Sequence, residues 1–219
     1  MMEISEELAY LLGVLRDGTI QIGKNKYGTF YYLEFMSKSK EWLENLANLL
    51  QKLCQKRPTV RSITKNGKHY WRLRLRNKKF ILKLTKFANF TAPQWKWNLS
   101  PNLISKNKIS YVAGFFDAEG YISKSSTTNA WNIGIEHTWK NNKSCPPLQT
   151  LKEILATYQI KSNRITVKEK WRKRPLFCLR ISEKTSIIRF CELIRRKSLH
   201  PEKIKKIELI LHSFHTKVP

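Results

Sequence analysis

The stretch ISYVAGFFDAEGYI at residues 109–122 has a weaker copy, ELAYLLGVLRDGTI, at residues 7–20. In both stretches an apolar run at helical spacing ends in an acidic residue followed by glycine, and a β-like segment follows. The two acidic residues, Asp17 and Glu119, are 102 positions apart. A pattern that returns after about half of the chain predicts two structurally similar units.

Two further matches support this repeat. The helix-like stretch 40–53 matches 147–158 at an offset of 105 residues, and Leu73–Leu75 matches Leu179–Ile181 at an offset of 106. Turn signals join β-like segments within each unit, and Asn66-Gly67 is the strongest of them. Each unit is therefore predicted to contain a helix, two strands, a second helix, two more strands and a third helix.

These patterns predict an α+β fold of two pseudo-symmetric αββαββα units with antiparallel sheets, followed by a last helix at residues 201–213. The segment around the WKW cluster at 95–97 contains two prolines and is the natural linker. We place the first unit at residues 1–92, the linker at 93–107 and the second unit at 108–219.

The charge of the chain indicates a polyanionic partner. Lys and Arg number 42 against 16 Asp and Glu, a formal net charge of +26, and residues 45–116 carry 16 Lys or Arg and no acid. An aromatic content of 11% argues against a disordered basic tail. Nucleic acid is the commonest partner of such a protein, although a generic solubility charge or a ribosome-type protein would give the same composition.

The chain shows no apolar run long enough to span a membrane and no recognisable signal peptide. We therefore expect an intracellular protein, which is cytoplasmic in a prokaryote or organellar if an organelle encodes it.

The motif VAGFFDAEG at Val112–Gly120 resembles the nine-residue signature of the LAGLIDADG homing endonucleases, and LLGVLRDG at Leu11–Gly18 is a more degenerate copy. Gly13 lies five residues before Gly18, whereas Gly114 lies six residues before Gly120. The repeated αββαββα order also fits this family. The resemblance implies a monomer whose two units form a DNA-binding saddle, and a staggered double-strand break with 3′ overhangs.

The resemblance also implies the active-site residues. Asp17 and Glu119 would be the catalytic carboxylates and the ligands of Mg²⁺, with Mn²⁺ or Ca²⁺ able to take the same sites, and the carbonyls of Gly18 and Gly120 would add ligands. Carboxylate oxygens suit these hard cations, which activate water and stabilise a leaving oxygen. The other interpretation, an ordinary C-cap glycine after each acid, is less favoured because acids are unfavourable at helix C-termini.

Two further catalytic candidates lie about 20 residues after the two acids, one in each unit, where the family has a Gln or Lys aimed at the scissile phosphates. They are Lys38 in the first unit and His137 in the second. A surface lysine that opens the next helix is the alternative for Lys38. Asp117 is expected to pack or cap its helix and not to bind metal.

Residues 70–76 alternate at period two, which places Trp71, Leu73 and Leu75 towards the helices and three arginines towards DNA or solvent. A solvated edge strand is the alternative. In the second unit, Asn132 and Glu136 are candidate readers of adenine and cytosine edges. The DNA-binding candidates are Gln21, Lys24, Lys26, Tyr32, Arg61, Lys65, Arg72, Arg74, Arg76, Asn132, Glu136, Arg164, Lys168, Lys170, Arg172, Arg174 and Arg180.

The sequence thus predicts a site-specific, metal-dependent endonuclease that acts on double-stranded DNA. Two other functions fit the same basic fold: a maturase that binds intron RNA, and a DNA-binding protein without catalytic activity. The presence of both motif acids favours the nuclease.

Overall fold

The computed structural model describes residues 4–97, 107–140, 143–169 and 173–215. The first unit contains α1 (Glu6–Val14), β1 (Thr19–Asn25), β2 (Gly28–Ser37), α2 (Lys40–Cys54), β3 (Thr59–Lys65), β4 (Lys68–Leu75) and α3 (Lys78–Thr85). A 3₁₀ turn (Gln94–Lys96) follows. The second unit contains α4 (Lys108–Glu119), β5 (Gly120–Lys124), β6 (Trp131–Thr138), α5 (Pro146–Thr157), β7 (Thr166–Glu169), β8 (Leu176–Ile181), α6 (Lys184–Arg195) and α7 (Pro201–His215).

Each unit has one four-stranded antiparallel sheet, and the strand order is the same in both: β1-β2-β4-β3 and β5-β6-β8-β7. The prediction of an α+β fold with two repeated units is therefore confirmed. Asn66 and Gly67 both have positive φ, of 53° and 70°, and they form the hairpin turn between β3 and β4 that their sequence indicated. The unit limits at residues 92 and 107 stay a prediction.

One face of each sheet packs against helices and the other is open. We call this open side the groove; on the first sheet it holds a cavity of about 500 Å³ that Asp17, Glu34 and Lys65 line. In the first sheet Leu33 and Leu73 are fully buried on the helix side, while Glu34 and Arg74, one residue further along, are paired on the opposite face. In the second sheet Ile133 is buried on the helix side in the same way. Alternation along each strand therefore separates an apolar core from a polar surface.

The centre of the molecule is the contact between α1 and α4, whose residues Leu8–Val14 and Ser110–Asp117 are all buried. A Cβ atom on Gly13 would lie 2.2 Å from the carbonyl oxygen of Tyr111, and one on Gly114 would lie 2.0 Å from that of Tyr10. The two backbones therefore touch where each helix has its glycine, because no other residue fits there.

The two central helices end differently. Beyond Val14 the amides of Arg16, Asp17 and Gly18 donate to carbonyls three residues earlier, at 3.2, 3.1 and 3.1 Å. This is a 3₁₀ turn, whereas α4 remains α-helical as far as Glu119. The helix predicted at residues 6–17 therefore ends early as an α-helix.

This tightened turn explains why the first motif is one residue shorter. Gly13 and Asp17 are four residues apart, and one α-helical step followed by three 3₁₀ steps gives a rise of about 7.5 Å and a rotation of about 460°. Gly114 and Glu119 are five residues apart, which in an α-helix gives about 7.5 Å and about 500°. Asp17 and Glu119 are therefore displaced by nearly the same rise and rotation from the glycines at which the two helices cross.

Within the parts of the chain that the structure describes, every helix is too short or too polar to traverse a lipid bilayer.

Candidate active site

Asp17 and Glu119 lie at the same end of the paired helices α1 and α4, on the groove floor. The pKa of Asp17 is raised to about 7, first because surrounding protein atoms remove water from it and second because the Glu119 charge is close. The Asp17 side chain is nevertheless exposed to solvent. Asp17 is therefore crowded by protein on one side and open to the groove on the other, as a residue that meets a ligand must be.

Lys203 of α7 places a cation behind these carboxylates. Its Nζ donates to the carbonyl oxygens of Phe116 at 2.5 Å and Asp117 at 2.8 Å, which are among the last carbonyls of α4. Desolvation lowers the pKa of Lys203 to about 8, against the opposing influence of Asp117, Glu119 and Asp17. Lys203 therefore holds the end of α4 and offsets part of the negative charge.

The sequence analysis missed Lys203. The one signal that could have revealed it is the repeat, because Lys96 precedes it by 107 residues, close to the offsets of the other matches. Lys96 itself is exposed.

Asp117 has the packing role expected of it. Its carboxylate is buried and accepts hydrogen bonds from the Tyr10 hydroxyl at 2.5 Å, the Ser198 hydroxyl at 2.6 Å, and the backbone amides of Leu199 at 2.7 Å and His200 at 3.2 Å. These contacts join α1, α4 and the segment before α7. Asp117 therefore has no free oxygen to offer a metal ion.

Arg16 forms the matching contact on the other side of the helix pair. Its guanidinium donates to the Tyr111 hydroxyl at 3.2 and 3.3 Å and lies 5.1 Å from the centre of the Trp97 ring. Thus Tyr10 of α1 binds a charged residue of α4, and Tyr111 of α4 binds a charged residue of the turn after α1. Arg16, within the first motif, is therefore a buried structural residue.

The structure places the two further catalytic candidates differently. Lys38 is exposed just beyond β2, on the groove face by alternation. His137 is buried on the helix face of β6, with Nδ1 3.4 Å from Glu119 Oε1 and no hydrogen bond at either ring nitrogen within the described residues. The expected contact of His137 with DNA is therefore wrong, because the ring lies beneath the surface. His137 can act only through Glu119.

Gly18 and Gly120 allow close packing at the start of β1 and β5. A Cβ atom on Gly18 would lie 2.4 Å from the Phe35 ring, and one on Gly120 would lie 2.1 Å from the Phe116 ring. Both positions therefore require glycine for packing, because a side chain would clash there. The role of the two glycine carbonyls as metal ligands stays a prediction.

The groove face of the first sheet carries most of the DNA-binding residues predicted for the first unit. Gln21, Tyr32, Arg61, Lys65, Arg72 and Arg74 share this face by strand register, and Arg76 is exposed just beyond β4. Glu34, which the sequence analysis missed, forms ion pairs with Arg74 at 2.5 Å and Arg72 at 3.8 Å. Glu34 therefore neutralises part of the charge of these two arginines within the protein itself.

Two lysines of the same unit lie at the tip of the β1–β2 hairpin. Lys24 shares the register face of Ile20 and Ile22, away from the groove, and Lys26 is in the exposed turn. A cavity of about 320 Å³ opens beside the groove face, and Arg57, Arg61, Arg72, Arg74 and Arg76 all line it. The positive charge of this unit is thus concentrated around β3 and β4.

In the second sheet, Asn132, Glu136 and Arg180 share the groove face. Glu136 forms an ion pair with Lys168, whose Nζ also lies 5.3 Å from the centre of the Tyr121 ring. Arg164 is exposed before β7, and the Arg174 guanidinium lies 4.7 Å from the centre of the Trp95 ring. Lys170 and Arg172 lie outside the described residues.

The carboxylate pair fits a hard divalent cation. Within the described ranges, no group of three or more His, Cys, Asp or Glu side chains could hold a metal ion. Mg²⁺ commonly takes one or two carboxylates and completes its shell with water and substrate phosphate oxygens. A site built on Asp17 and Glu119 would leave positions open for such ligands.

The pKa of Asp17 gives a test in the metal-free protein. The pKa of Asp17 is about 7 in the folded protein and 3.8 ordinarily. Ionisation of Asp17 therefore lowers the free energy of unfolding, by an amount that grows from about pH 4 to about pH 7 and then stays constant. Asp17→Asn removes this cost. We expect about 1 kcal/mol, discounted for the exposure of Asp17, and hence a melting temperature higher by about 2–4 °C at pH 8 in EDTA and by less at pH 5. An equal change in melting temperature at pH 5 and pH 8 would contradict the raised pKa of Asp17.

Comparison with known proteins shows what this chain is similar to. The sequence profile of the LAGLIDADG-like domain matches residues 106–195. The homing endonuclease I-ApeI of Aeropyrum pernix is 27% identical over 215 residues, which are 93% of this chain and 86% of that protein.

Solved structures share the fold of the whole chain. The structure of I-DmoI in complex with DNA and Ca has a TM-score of 0.63 at 19% identity and covers 95% of this chain and 100% of its own. The homing endonuclease I-WcaI bound to its DNA recognition sequence has a TM-score of 0.63 at 19% identity, with 94% and 88% covered. Full-length DUF199/WhiA has a TM-score of 0.58 at 16% identity, covering 98% of this chain and 61% of its own. Since proteins with different names share this fold, the site residues must carry the functional argument.

Proposed function

Because residues 106–195 are a LAGLIDADG-like domain in a chain with the fold of the homing endonucleases I-DmoI and I-WcaI, we propose that this protein is a homing endonuclease. It makes a staggered double-strand break in a long DNA target by metal-dependent phosphodiester hydrolysis. One observation carries the proposal: Asp17 and Glu119, from the two repeats, meet on the floor of a groove lined with basic residues.

The residues of this site have distinct tasks. Asp17 and Glu119 would hold the divalent ion, which when bound would activate water and stabilise the leaving oxygen. Lys38, which is exposed just beyond β2, is our candidate for contact with a scissile phosphate. Lys203 and His137 lie behind the carboxylates and fix their surroundings. The carbonyls of Gly18 and Gly120 are further candidate ligands.

We extend the proposal to the ion, the oligomeric state and the location of the protein. Mg²⁺ is the expected ion, and the I-DmoI structures with Ca and with Mn support the use of related divalent ions. One chain contains both carboxylates, so the protein acts as a monomer. A DNA substrate places it inside the cell, in prokaryotic cytoplasm or in an organelle that encodes it.

A cleavage selection tests the proposal. The purified protein is incubated with a library of long double-stranded DNA in Mg²⁺, with EDTA in parallel. We expect discrete breaks with 3′ overhangs that are absent in EDTA. Tight, salt-sensitive binding without cleavage in any divalent metal would instead indicate a DNA-binding protein without catalytic activity.

The groove face should contribute to affinity mainly through phosphate contacts. Arg61→Gln is expected to weaken DNA binding and to lower the slope of log Kd against log salt concentration by about 1, because one fewer counterion is released. Arg61 suits this test because it forms no ion pair within the described part of the chain. Lys79→Gln on α3, behind the sheet, is the matched control and should leave the slope unchanged. Equal salt slopes for wild type and Arg61→Gln would show that DNA does not contact Arg61 and binds elsewhere on the protein.

Intron RNA is a second candidate partner, because α3 presents exposed lysines on the helix side of the first sheet. Lys78, Lys79 and Lys83 are exposed there, and no acid lies between Glu44 and Asp117. If this surface binds RNA, a structured intron RNA should bind the protein together with its DNA target, without competition. Competition for one site would contradict a separate RNA surface.

A further inference from the structure

We propose that Gln94 is a positioning residue for Asp17, so that the linker turn Gln94–Trp97 controls the carboxylate of the first repeat and not that of the second. This inference rests on the proposed function for its effect on cleavage. Its structural part concerns the turn that carries Asp17 and can be tested without DNA or metal.

The central contact is a hydrogen bond from Gln94 Nε2 to the carbonyl oxygen of Arg16, at 2.5 Å. That carbonyl belongs to the peptide bond that joins Arg16 to Asp17. Only the amide nitrogen of Gln94 can face it, because the reversed amide would bring two acceptors together. The last carbonyls of a helix lack partners within the helix, so this side chain supplies one from the linker.

The linker turn also holds the side chain of the same residue. Trp97 stacks with the Arg16 guanidinium, while Trp97 Nε1 donates to the carbonyl of Ala92 at 2.9 Å. The Trp97 ring in turn packs edge-on against Phe90, with the ring centres 4.8 Å apart. The residue before Asp17 is thus bound through both backbone and side chain by a segment that is itself well packed.

The second carboxylate has a different support. Glu119 is the last residue of a regular α-helix, and Lys203 binds the carbonyls of Phe116 and Asp117 nearby. Asp17 instead stands on a 3₁₀ turn, whose hydrogen bonds of 3.1–3.2 Å and poorer geometry make it easier to open. Loss of the Gln94 amide should therefore disturb Asp17 and spare Glu119.

Hydrogen exchange in the metal-free protein tests the structural part. Gln94→Met keeps the length of the side chain but removes the donor, and Gln94→Lys restores a donor. In Gln94→Met we expect the amides of Asp17 and Gly18 to exchange about 10-fold faster, with that of Gly120 unchanged, and in Gln94→Lys a partial return. Thr91→Ala is the control, because Thr91 lies just before the linker and its hydroxyl hydrogen-bonds Asn89 and not Arg16. Unchanged exchange at Asp17, or equal acceleration throughout the core, would overturn the proposal.

Strand-resolved cleavage of the selected target tests the functional part. With each strand labelled separately, Gln94→Met should slow cleavage of one strand at least several-fold more than the other, and Thr91→Ala should slow neither. Equal slowing of both strands would overturn a role specific to Asp17. If wild-type protein cleaves no DNA, the proposed function fails, and hydrogen exchange still decides whether Gln94 positions the turn.

Discussion

Replacement of Gly114 by alanine is expected to destabilise the protein more than any other single methyl addition to the helix pair. The new Cβ would lie 2.0 Å from the carbonyl oxygen of Tyr10 and 2.9 Å from its carbonyl carbon. These are backbone atoms, so no side-chain rotation can relieve the contact, and α1 and α4 must move apart. We expect a loss of about 3 kcal/mol, and a melting temperature lower by about 6–12 °C, measured by circular dichroism.

Gly23→Ala is the matched control for this variant. Its Cβ would meet the Phe30 ring, at 2.5 Å from the far end of a side chain that can rotate. We expect a change of less than about 1 kcal/mol. If Gly114→Ala is as stable as Gly23→Ala, the helices do not approach each other as closely as the structure shows.

The double substitution Asp17→Asn/Glu119→Gln is expected to abolish cleavage and to preserve DNA binding. Amides keep the shape of the side chains but lose the charge that holds a hard cation. We expect the cleavage rate in Mg²⁺ to fall by at least about 10³-fold, equivalent to about 4 kcal/mol. Affinity for DNA, measured in EDTA, should be equal or higher, because two negative charges that face the phosphates are removed.

Glu44→Gln provides a control for the loss of an acid. Glu44 is on α2, where it pairs with Arg57, and it lies away from the groove floor. Its substitution should leave the cleavage rate within about two-fold of wild type. A double variant that still cleaves at the wild-type rate would exclude Asp17 and Glu119 as the catalytic pair.

Much of the architecture was predictable because it depends on local patterns. The period-two alternation at residues 70–76 is enough to separate Leu73 from Arg74, and Asn66-Gly67 is enough to define a hairpin. The repeated acid-glycine pair located Asp17 and Glu119 from sequence alone. Each of these signals is contained within a few neighbouring residues.

The remaining features depend on contacts between distant segments. Lys203 approaches α4 only because α7 folds back across it, and Glu34 meets Arg74 only through the pairing of β2 with β4. The 3₁₀ turn at Asp17 depends on packing against a second helix. None of these three features has a signal within its own sequence window. The burial of His137, by contrast, follows from period-two alternation, because His137 shares the face of Ile133 and Ile135 and lies opposite to Glu136.

The most direct test of the account is a strand-resolved cleavage assay of the two single variants. On the target found by selection, with each strand labelled, wild type is predicted to cut both strands in Mg²⁺ and neither in EDTA. Asp17→Asn and Glu119→Gln are each predicted to make no double-strand breaks and to leave at most nicked DNA, because each repeat supplies one of the two carboxylates and the loss of either leaves at least one strand uncut. A single variant that makes double-strand breaks at the wild-type rate would contradict the account.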